Sequence, residues 1–443
     1  MKRFGLIGHP LGHSLSPAIH ACILRTAGIE GTYDLYDVAP EDLANRLPAL
    51  MAELDGFNCT IPHKQSLMSH IQALDVTAQR CGAVNTVAGG VGYNTDIEGF
   101  LASELVLTDR DVLLLGTGGT SHMMGAMCLE KGCRSLTIRS RDASKAFALA
   151  AHLGRVFPEA ADRCHVAEGV DSGRIFDVIL NGTPVGMWPN AGGLPCETTL
   201  LQPGVAVFDA IYNPIATRLV LNARRRGARA QGGLRMLVRQ AVAAQQIWNP
   251  DVVIDALAVE AAVLPELTAA LLRDFPVKIL LTGFMGCGKS TVSRLLAEQL
   301  GLDVVDLDPE IVRSAGQPIA EIFAERSETG FRALEAEVAE SVLRSPRSAV
   351  VAAGGGLPIS EANQAMIRRT NTLVVNIDIP FETAWQRIAA DSARPLASNR
   401  LRAEALYAAR THIYDAFCDF NTETKENPED VAATIAAALT SLG

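Results

Sequence analysis

Short apolar runs that end in a glycine or a turn and give way to a helical pattern recur along the chain: FGLIG, DVLLLGTGG, DVILNGTP, VAVFDAIYNP, VKILLTG and TLVVNIDIP. Such a run suits a strand buried on both faces, and the helical stretch after it supplies cover. The rhythm predicts parallel α/β architecture, with ligands held at the carboxyl ends of the strands. One segment differs. After Trp248, the stretch NPDVVIDALAVEAAVLPELTAALLRDFP is rich in alanine and leucine at helical spacing and carries no candidate catalytic group. It is expected to break at Pro265 and Pro276 and to mark a domain boundary, as a linker or as extra packed helices. No internal repeat or low-complexity tract is visible.

A chain of 443 residues is too long for one ordinary core, so two to three domains are expected. Hydrophobic residues make up 48% and charged residues 20%, which places the chain among packed globular proteins and outside the disordered class. The formal charge of -10 argues against a nucleic-acid-binding surface, so an anionic ligand must meet local arginines. Nine cysteines without a CxxC pair read as reduced thiols, and MKRF leads into a turn rather than a signal-peptide run. No apolar run reaches the roughly 18 residues of a membrane span. A cytoplasmic location is the expectation.

Two glycine loops of different design carry the chemistry. The first, GTGGTS, follows the strand pattern of Asp111 to Leu115 and opens a helical pattern from Ser121 to Leu129. Gly116 allows the tight turn, Gly118 lets the backbone approach a pyrophosphate, and Ser121 takes the close-packing third position, with Gly119 and Thr120 between them. The helix N-terminus then faces the phosphates of a dinucleotide. After the next strand, SLTIRS, the place of a ribose-binding carboxylate holds Ser140 and Arg141, with Lys145 nearby. Basic side chains there suit the 2′-phosphate of NADP. Asp142 beside them would repel it, which leaves NAD open.

Upstream lie SLSPAIH (Ser14 to His20), GFNCTIPHK (Gly56 to Lys64), GAVNT (Gly82 to Thr86) and GYNTDIEGF (Gly92 to Phe100). Taken singly, Ser14 and Ser16 read as a helix start, Asn85 and Asn94 as turn formers, and Lys64 with Asp96 as a surface ion pair. Together, with NGTPVGMWP, DAIYNP and MLVRQA downstream, they closely resemble the shikimate dehydrogenase family over nearly all of residues 3–250. The resemblance implies that Lys64 and Asp96 are the catalytic pair at the reduced carbonyl. It also implies that Ser14, Ser16, Thr60, Asn85, Tyr212 and Gln240 hold 3-dehydroshikimate or shikimate. The chemistry is sound on its own terms, since a developing alkoxide needs a proton donor within reach and a carboxylate beside a lysine orients it. Two positions depart from the family pattern: Ser140-Arg141-Asp142 replaces Asn-Arg-Thr, and Arg235 replaces a glycine ahead of the Gln240 helix. His9, His13 and His20 do not share a helical face, because Pro10 and Gly12 intervene, and no cysteine or carboxylate cluster completes a metal set.

The second loop, GFMGCGKST, has the GxxxxGK[ST] spacing between the strand VKILLTG and a helix. The backbone of Gly283, Gly286, Cys287 and Gly288 surrounds the phosphates of ATP or GTP, with Thr291 in the first helical turn. Lys289 reaches the β- and γ-oxygens and Ser290 ligates Mg²⁺. Beyond it come VVDLD, ETGFRALE, AAGGG, RPL and LYAARTHIY, and from 277 to about 436 the order and spacing closely resemble shikimate kinase. The resemblance implies Asp308 beside the acceptor hydroxyl, Arg332 and Arg410 on the substrate carboxylate, and Gly354, Gly355 and Gly356 at the ring. It further implies Arg394 on a lid over the phosphoryl group, Asp306 supporting the magnesium site and Arg387 near adenine. Glu335 and Asp391 read as structural, and Ser327, where the family has glycine, is expected to matter little.

The expected plan is therefore a substrate domain at 1–100, completed by about 231–250, and a Rossmann-like NADP-binding domain at 101–230. A helical linker at 251–276 and a P-loop α/β kinase domain with a parallel sheet at 277–443 follow. The implied activity is bifunctional: NADPH-dependent reduction of 3-dehydroshikimate to shikimate, then ATP-dependent phosphorylation to shikimate 3-phosphate, without nucleic acid or membrane as partner and with homo-oligomers allowed. Two alternatives stay open at this point, an NAD-dependent quinate/shikimate dehydrogenase fused to the kinase and a ligand-sensing regulator that has lost turnover.

Overall fold

The computed structural model describes residues 1–12, 14–167, 174–389, 399–425 and 427–443. Every apolar run named above is a strand: Lys2–Gly8, Asp111–Leu115, Val178–Asn181, Ala206–Asp209, Lys278–Thr282 and Thr372–Asp378. The chain divides into two units, one of residues 1–187, 193–267 and 442–443, the other of residues 188–192 and 268–441.

The first unit contains two six-stranded sheets. One has Lys2–Gly8 flanked by the parallel strands Gly31–Asp37 and Gly56–Cys59, and continues through Thr86–Ala88, Val91–Tyr93 and Ala73–Leu74 with antiparallel pairings at Thr86–Ala88. The other is parallel throughout, in the order Arg229–Gln231, Ala206–Asp209, Val178–Asn181, Asp111–Leu115, Ser135–Arg139, Cys164–Val166. Leu114, Leu136, Ile138 and Leu180 of this sheet are fully buried in one core with Met123, Met124 and Met127 of the helix Gly119–Glu130 and Leu149 and Leu153 of the helix Ala143–Val156. Truncating one of these leucines to alanine costs about 2–5 kcal/mol. That rigidity holds the loop between Leu115 and Gly119 in place.

The second unit is built on a five-stranded parallel sheet in the order Asp303–Asp306, Ala349–Ala352, Lys278–Thr282, Thr372–Asp378, Phe420–Glu423. The strand order reverses at the central Lys278–Thr282, and the crevice at its carboxyl end is where such sheets bind ligands.

Helix Ala256–Asp274 continues through Pro265, so the break expected there does not occur. The missing N–H leaves one helical carbonyl without its usual donor. Val259, Val263, Leu267 and Leu271, four residues apart and at most 2% exposed, supply burial that keeps the helix intact. No described helix is long and apolar enough to cross a membrane.

Candidate active sites

In the first unit the polar motifs converge at the carboxyl ends of the strands. Lys64 follows the turn after Gly56–Cys59, and Asp96 opens the short helix Asp96–Leu101; Lys64 Nζ lies 2.5 Å from Asp96 Oδ2, with Asp96 nearly fully buried. The other carboxylate oxygen, Oδ1, accepts from Asn85 Nδ2 at 2.9 Å. Asn85 is fixed in turn by Thr95, whose backbone N–H donates to Asn85 Oδ1 at 2.7 Å. That bond allows only one sense for the amide, with its NH₂ on Asp96 and, at 3.5 Å, on Gln240 Oε1. Gln240 reaches the cluster because helix Asp96–Leu101 packs tightly on helix Leu234–Trp248: a Cβ at Gly99 would sit 2.5 Å from Met236 O. Arg235 is held on Glu260, with Nε 3.1 Å from Oε1, and fits the regular first turn of its helix.

Ser14 and Ser16 lie at the start of the helix Ser16–Ala27, with Ser14 Oγ accepting from Ser16 N at 3.3 Å. Thr60 is hydrogen-bonded to Ile7 O through its backbone at 2.9 Å. Tyr212 sits after strand Ala206–Asp209, and burial pushes its phenol up; no hydrogen bond among the described residues joins it to the Lys64 cluster. His9 pairs with Asp37, His20 with Gln245, and His13 lies outside the described residues. No group of three or more His, Cys, Asp or Glu among the described residues could hold a metal ion.

A cleft of about 1030 Å³ joins this cluster to the first glycine loop, lined by Lys64, Gly116–Thr120, Arg139–Asp142, Lys145 and Glu197 among others. The juxtaposition is close: a Cβ at Gly119 would touch Lys64 Cβ at 3.4 Å. Gly116 has φ +102°, and a Cβ there would meet Thr183 Cγ2 at 2.8 Å, so the turn needs glycine. Ser121 is fully buried beneath the loop, facing Gly182, where a Cβ would lie 2.3 Å from its hydroxyl. Asp142 lines the cleft as well, but its carboxylate is engaged by its own helix. Its carboxylate caps the helix Ala143–Val156, accepting from Ser144 N at 3.0 Å and Lys145 N at 3.4 Å, and the Ser144 hydroxyl holds it below the usual carboxylate range. Ser140, Arg141 and Lys145 line the same end of the cleft, which also holds an ion pair the sequence reading missed, Arg139 Nη1 to Glu197 Oε2 at 2.8 Å.

In the second unit Gly283, Gly286 and Gly288 have φ of +134°, +84° and +97°, the conformations that let successive backbone N–H groups point inward. Lys289 Nζ donates to Gly283 O at 2.8 Å and Phe284 O at 3.2 Å. Ser290 Oγ bonds Asp306 Oδ2 at 2.6 Å, so a hydroxyl and a carboxylate stand together at the mouth of the loop. That hard-oxygen donor set fits Mg²⁺, which takes one or two protein groups and fills its other positions with water and phosphate. A second cleft, about 330 Å³, is lined by Gly286–Gly288, Thr291, Val292, Arg387, Thr424, Lys425, Pro428 and Val431, with Arg387 Nη1 on Gly286 O at 3.0 Å.

The glycine run 354–356 threads among the predicted acceptor-site side chains. A Cβ at Gly354 would lie 2.4 Å from Glu335 Oε1 and 3.6 Å from Asp308 Oδ1; at Gly355, 3.9 Å from Arg410 Nη1; at Gly356, 2.1 Å from Arg332 Nη1. Asp308, Arg332 and Arg410 thus surround one short backbone segment. Arg410 Nη1 and Tyr414 Oη both donate to Gly355 O, at 3.4 and 2.5 Å. Glu335, only 1% exposed, bonds Arg332 Nη1 at 2.6 Å, and its burial pushes its carboxyl up despite that partner. The sequence reading classed Glu335 as structural and did not name Tyr414; both position groups at this site. Arg394 and Asp391 lie outside the described residues. Ser327 has φ +63° and ψ 176° inside the path of helix Ile319–Arg344, a region that side chains other than glycine seldom enter. It therefore matters more than expected.

Comparison with known proteins follows the same division. The family model described as Shikimate dehydrogenase substrate binding domain matches residues 6–87, and the one described as Shikimate kinase matches residues 285–440. A curated relative named Shikimate dehydrogenase (NADP(+)), from Caldanaerobacter subterraneus subsp. tengcongensis, is 39% identical over 257 residues, 56% of this chain and 91% of its own. Its namesake from Shouchella clausii is 36% identical over 259 residues, 56% of this chain and 93% of its own. The crystal structure of shikimate 5-dehydrogenase from Thermus thermophilus in complex with NADP(H) and shikimate superposes with a TM-score of 0.53 at 32% identity, covering 59% of this chain and 98% of that one.

Proposed function

Because the chain belongs to the shikimate dehydrogenase family in its first half and carries a shikimate kinase domain in its second, we propose that it catalyses two consecutive steps on one ring acid. In the first unit, 3-dehydroshikimate is reduced at its C3 ketone to shikimate; in the second, the hydroxyl just formed is phosphorylated to shikimate 3-phosphate. The observation that supports this most strongly is the placement of the buried Lys64–Asp96 pair against Gly119 of the dinucleotide loop, with Asn85 and Gln240 beside it. On this reading residues 1–100, completed by about 231–250, hold the ring acid and 101–230 the dinucleotide, while 277–443 form the kinase beyond a helical connection at 251–276.

Gly116–Ser121 would hold NADPH, with Ser140, Arg141 and Lys145 for its 2′-phosphate, and the cofactor would supply the hydride. The protein's task is the other half of the reduction. Lys64 donates the proton that the forming alkoxide takes at the C3 oxygen, and Asp96 keeps the ammonium aimed there. Ser14, Ser16, Thr60, Asn85, Tyr212 and Gln240 hold the carboxylate and hydroxyls. In the kinase half, ATP with Mg²⁺ supplies the phosphoryl group and part of the charge neutralisation. Ser290 and Asp306 would hold the metal, and Lys289 would bind the β- and γ-phosphate oxygens. Arg387 lies by the adenine. Asp308 accepts the hydroxyl proton, Arg332 and Arg410 fork onto the carboxylate, and the backbone of Gly354–Gly356 lies under the ring.

Paired variants test the division of labour. Lys64→Ala is expected to abolish NADP⁺ reduction by shikimate while phosphorylation continues near the wild-type rate, and Lys289→Ala to do the reverse. Joint loss of both activities in either folded variant would contradict two independent sites.

A further inference from the structure

A buried line of hydrogen bonds runs behind the Lys64–Asp96 pair and ends on a tyrosine that the functional reading leaves without a task. Tyr33, on strand Gly31–Asp37 and 8% exposed, donates from Oη to Asn58 Oδ1 at 2.8 Å. Asn58 Nδ2 donates to Thr86 Oγ1 at 2.9 Å and to Asn85 O at 3.2 Å. Thr86 Oγ1, having accepted that proton, donates its own to Asn85 Oδ1 at 3.0 Å. Asn85 Nδ2 then closes the line on Asp96 Oδ1 at 2.9 Å, and Asp96 Oδ2 holds Lys64. Asn58, Thr86, Asn85 and Asp96 are all at most 4% exposed, so water is not at hand to replace a missing partner.

The tyrosine is itself clamped. The His20 ring stacks on it with centroids 3.8 Å apart and planes 7° from parallel. Gln245 Nε2 bonds His20 Nδ1 at 3.0 Å, and the sense of that amide is set by Asn249 Nδ2 donating to Gln245 Oε1 at 2.9 Å. Burial holds the His20 imidazole down to about 3, so the stack keeps one protonation state through the working range of an enzyme. Gln245 lies on helix Leu234–Trp248, which also carries Gln240. The Tyr33 hydroxyl faces Ser16 on its other side. One side chain thereby touches the serine turn, the helix that presents Gln240 through its clamp, and the amide line to the proton donor.

We propose that Tyr33 is a positioning residue for the reduction, setting through Asn58 and Asn85 the orientation of the Asp96 carboxylate and so of Lys64. The proposal rests on the dehydrogenase reading above. Without the hydroxyl, Asn58 Oδ1 loses its Tyr33 donor and is left to the neighbouring His20 Nε2, which shifts the Asn58 amide that bonds Thr86 and Asn85 O, while Thr95 N–H still sets the sense of the Asn85 amide. The ring, its stack on His20 and the strand itself do not need the hydroxyl.

Tyr33→Phe, Asn58→Ala and the double variant decide the matter, each assayed for 3-dehydroshikimate reduction and, in the same full-length chain, for shikimate phosphorylation as a control on folding. Tyr33→Phe is expected to lower kcat for reduction about fivefold to tenfold, the range one lost hydrogen bond supports, with KM for NADPH and the kinase rate unchanged. The double variant should be no slower than Asn58→Ala alone, because both changes cut one line. A kcat for Tyr33→Phe within twofold of wild type overturns the proposal, as do losses that multiply in the double variant or a fall in the kinase rate alongside reduction. Absence of wild-type reduction sinks the functional reading and the proposal together, whereas wild-type turnover with an undiminished Tyr33→Phe sinks only the proposal.

Discussion

Adding one methyl group at Gly356 should separate substrate binding in the kinase half from everything else the chain does. Gly356 has φ -96° and ψ -18°, a conformation alanine adopts without strain, so the backbone accepts Gly356→Ala. The added Cβ, however, would lie 2.1 Å from Arg332 Nη1, 2.4 Å from Cζ and 2.7 Å from Nη2. Ordinary contact begins near 3.5 Å, so the guanidinium must retreat by more than about 1 Å. It cannot do so freely, because Nη1 is bonded at 2.6 Å to the buried Glu335. If Arg332 is one of the two forks on the acceptor's carboxylate, a displacement of that size removes a charged hydrogen bond worth roughly 1.5–3 kcal/mol, or about 10- to 150-fold in KM for shikimate. Coupled-enzyme kinetics with shikimate and ATP varied in turn reads this directly. The account predicts a raised KM for shikimate, little change in KM for ATP, and an unaltered dehydrogenase rate. An unchanged KM for shikimate would show that Arg332 is not on the acceptor, and the placement of the ring over Gly354–Gly356 would fall with it.

Three further outcomes follow from particular residues. Ser327→Gly removes a non-glycine side chain from φ +63°, ψ 176° and should stabilise the second unit by about 1 kcal/mol, seen as a higher urea midpoint for loss of kinase activity, whereas Ser327→Ala should not. Asp209 is fully buried, and burial raises its carboxyl to about 6 although Thr217, Asn181 and Ile211 all donate to it. A raised folded-state value means this carboxyl favours the fold below the unfolded value near 3.8 and that the benefit is lost as pH rises through about 6. Asp209→Asn should therefore flatten the stability of the first unit between pH 4 and pH 7, by on the order of 3 kcal/mol, in urea unfolding at each pH; identical slopes would refute the burial argument. Asp142→Asn keeps the helix cap that the carboxylate makes and should leave the ratio of rates with NADP⁺ and NAD⁺ within about threefold of wild type. A large gain for NADP⁺ would show instead that the Asp142 charge faces the cofactor.

The parts that were legible in the sequence share a property: their partners lie within one contiguous motif or at a spacing dictated by the loop. The GTGGTS and GFMGCGKST turns could be assigned glycine by glycine because each glycine answers a local need, a positive φ or a close approach. Lys64, Asn85 and Asp96 were recognised from their stretches, and the structure brings all three within hydrogen-bond reach. What stayed hidden depends on geometry between distant segments. Strand Gly31–Asp37 buries only Tyr33 fully, so it carried too little apolar signal to be read, and with it went the tyrosine whose partner is 25 residues away. That the Asp142 carboxylate caps its own helix could not be read from composition, which does not say which way a carboxylate turns. Pro265 fails the other way: a proline there reads as a break, but burial of Val259, Val263, Leu267 and Leu271 carries the helix through it.

The central claim is that one chain carries two unlike sites shaped for the same ring acid, one beside a reductant and one beside a phosphoryl donor. The most direct measurement gives the purified protein 3-dehydroshikimate, NADPH, ATP and Mg²⁺ together and follows the acid by mass spectrometry. The account predicts that each molecule of acid consumes one NADPH and one ATP and ends as a single product bearing two more hydrogens and one phosphate. Oxidation of NADPH without a phosphorylated product, or phosphorylation of the unreduced acid, would contradict it.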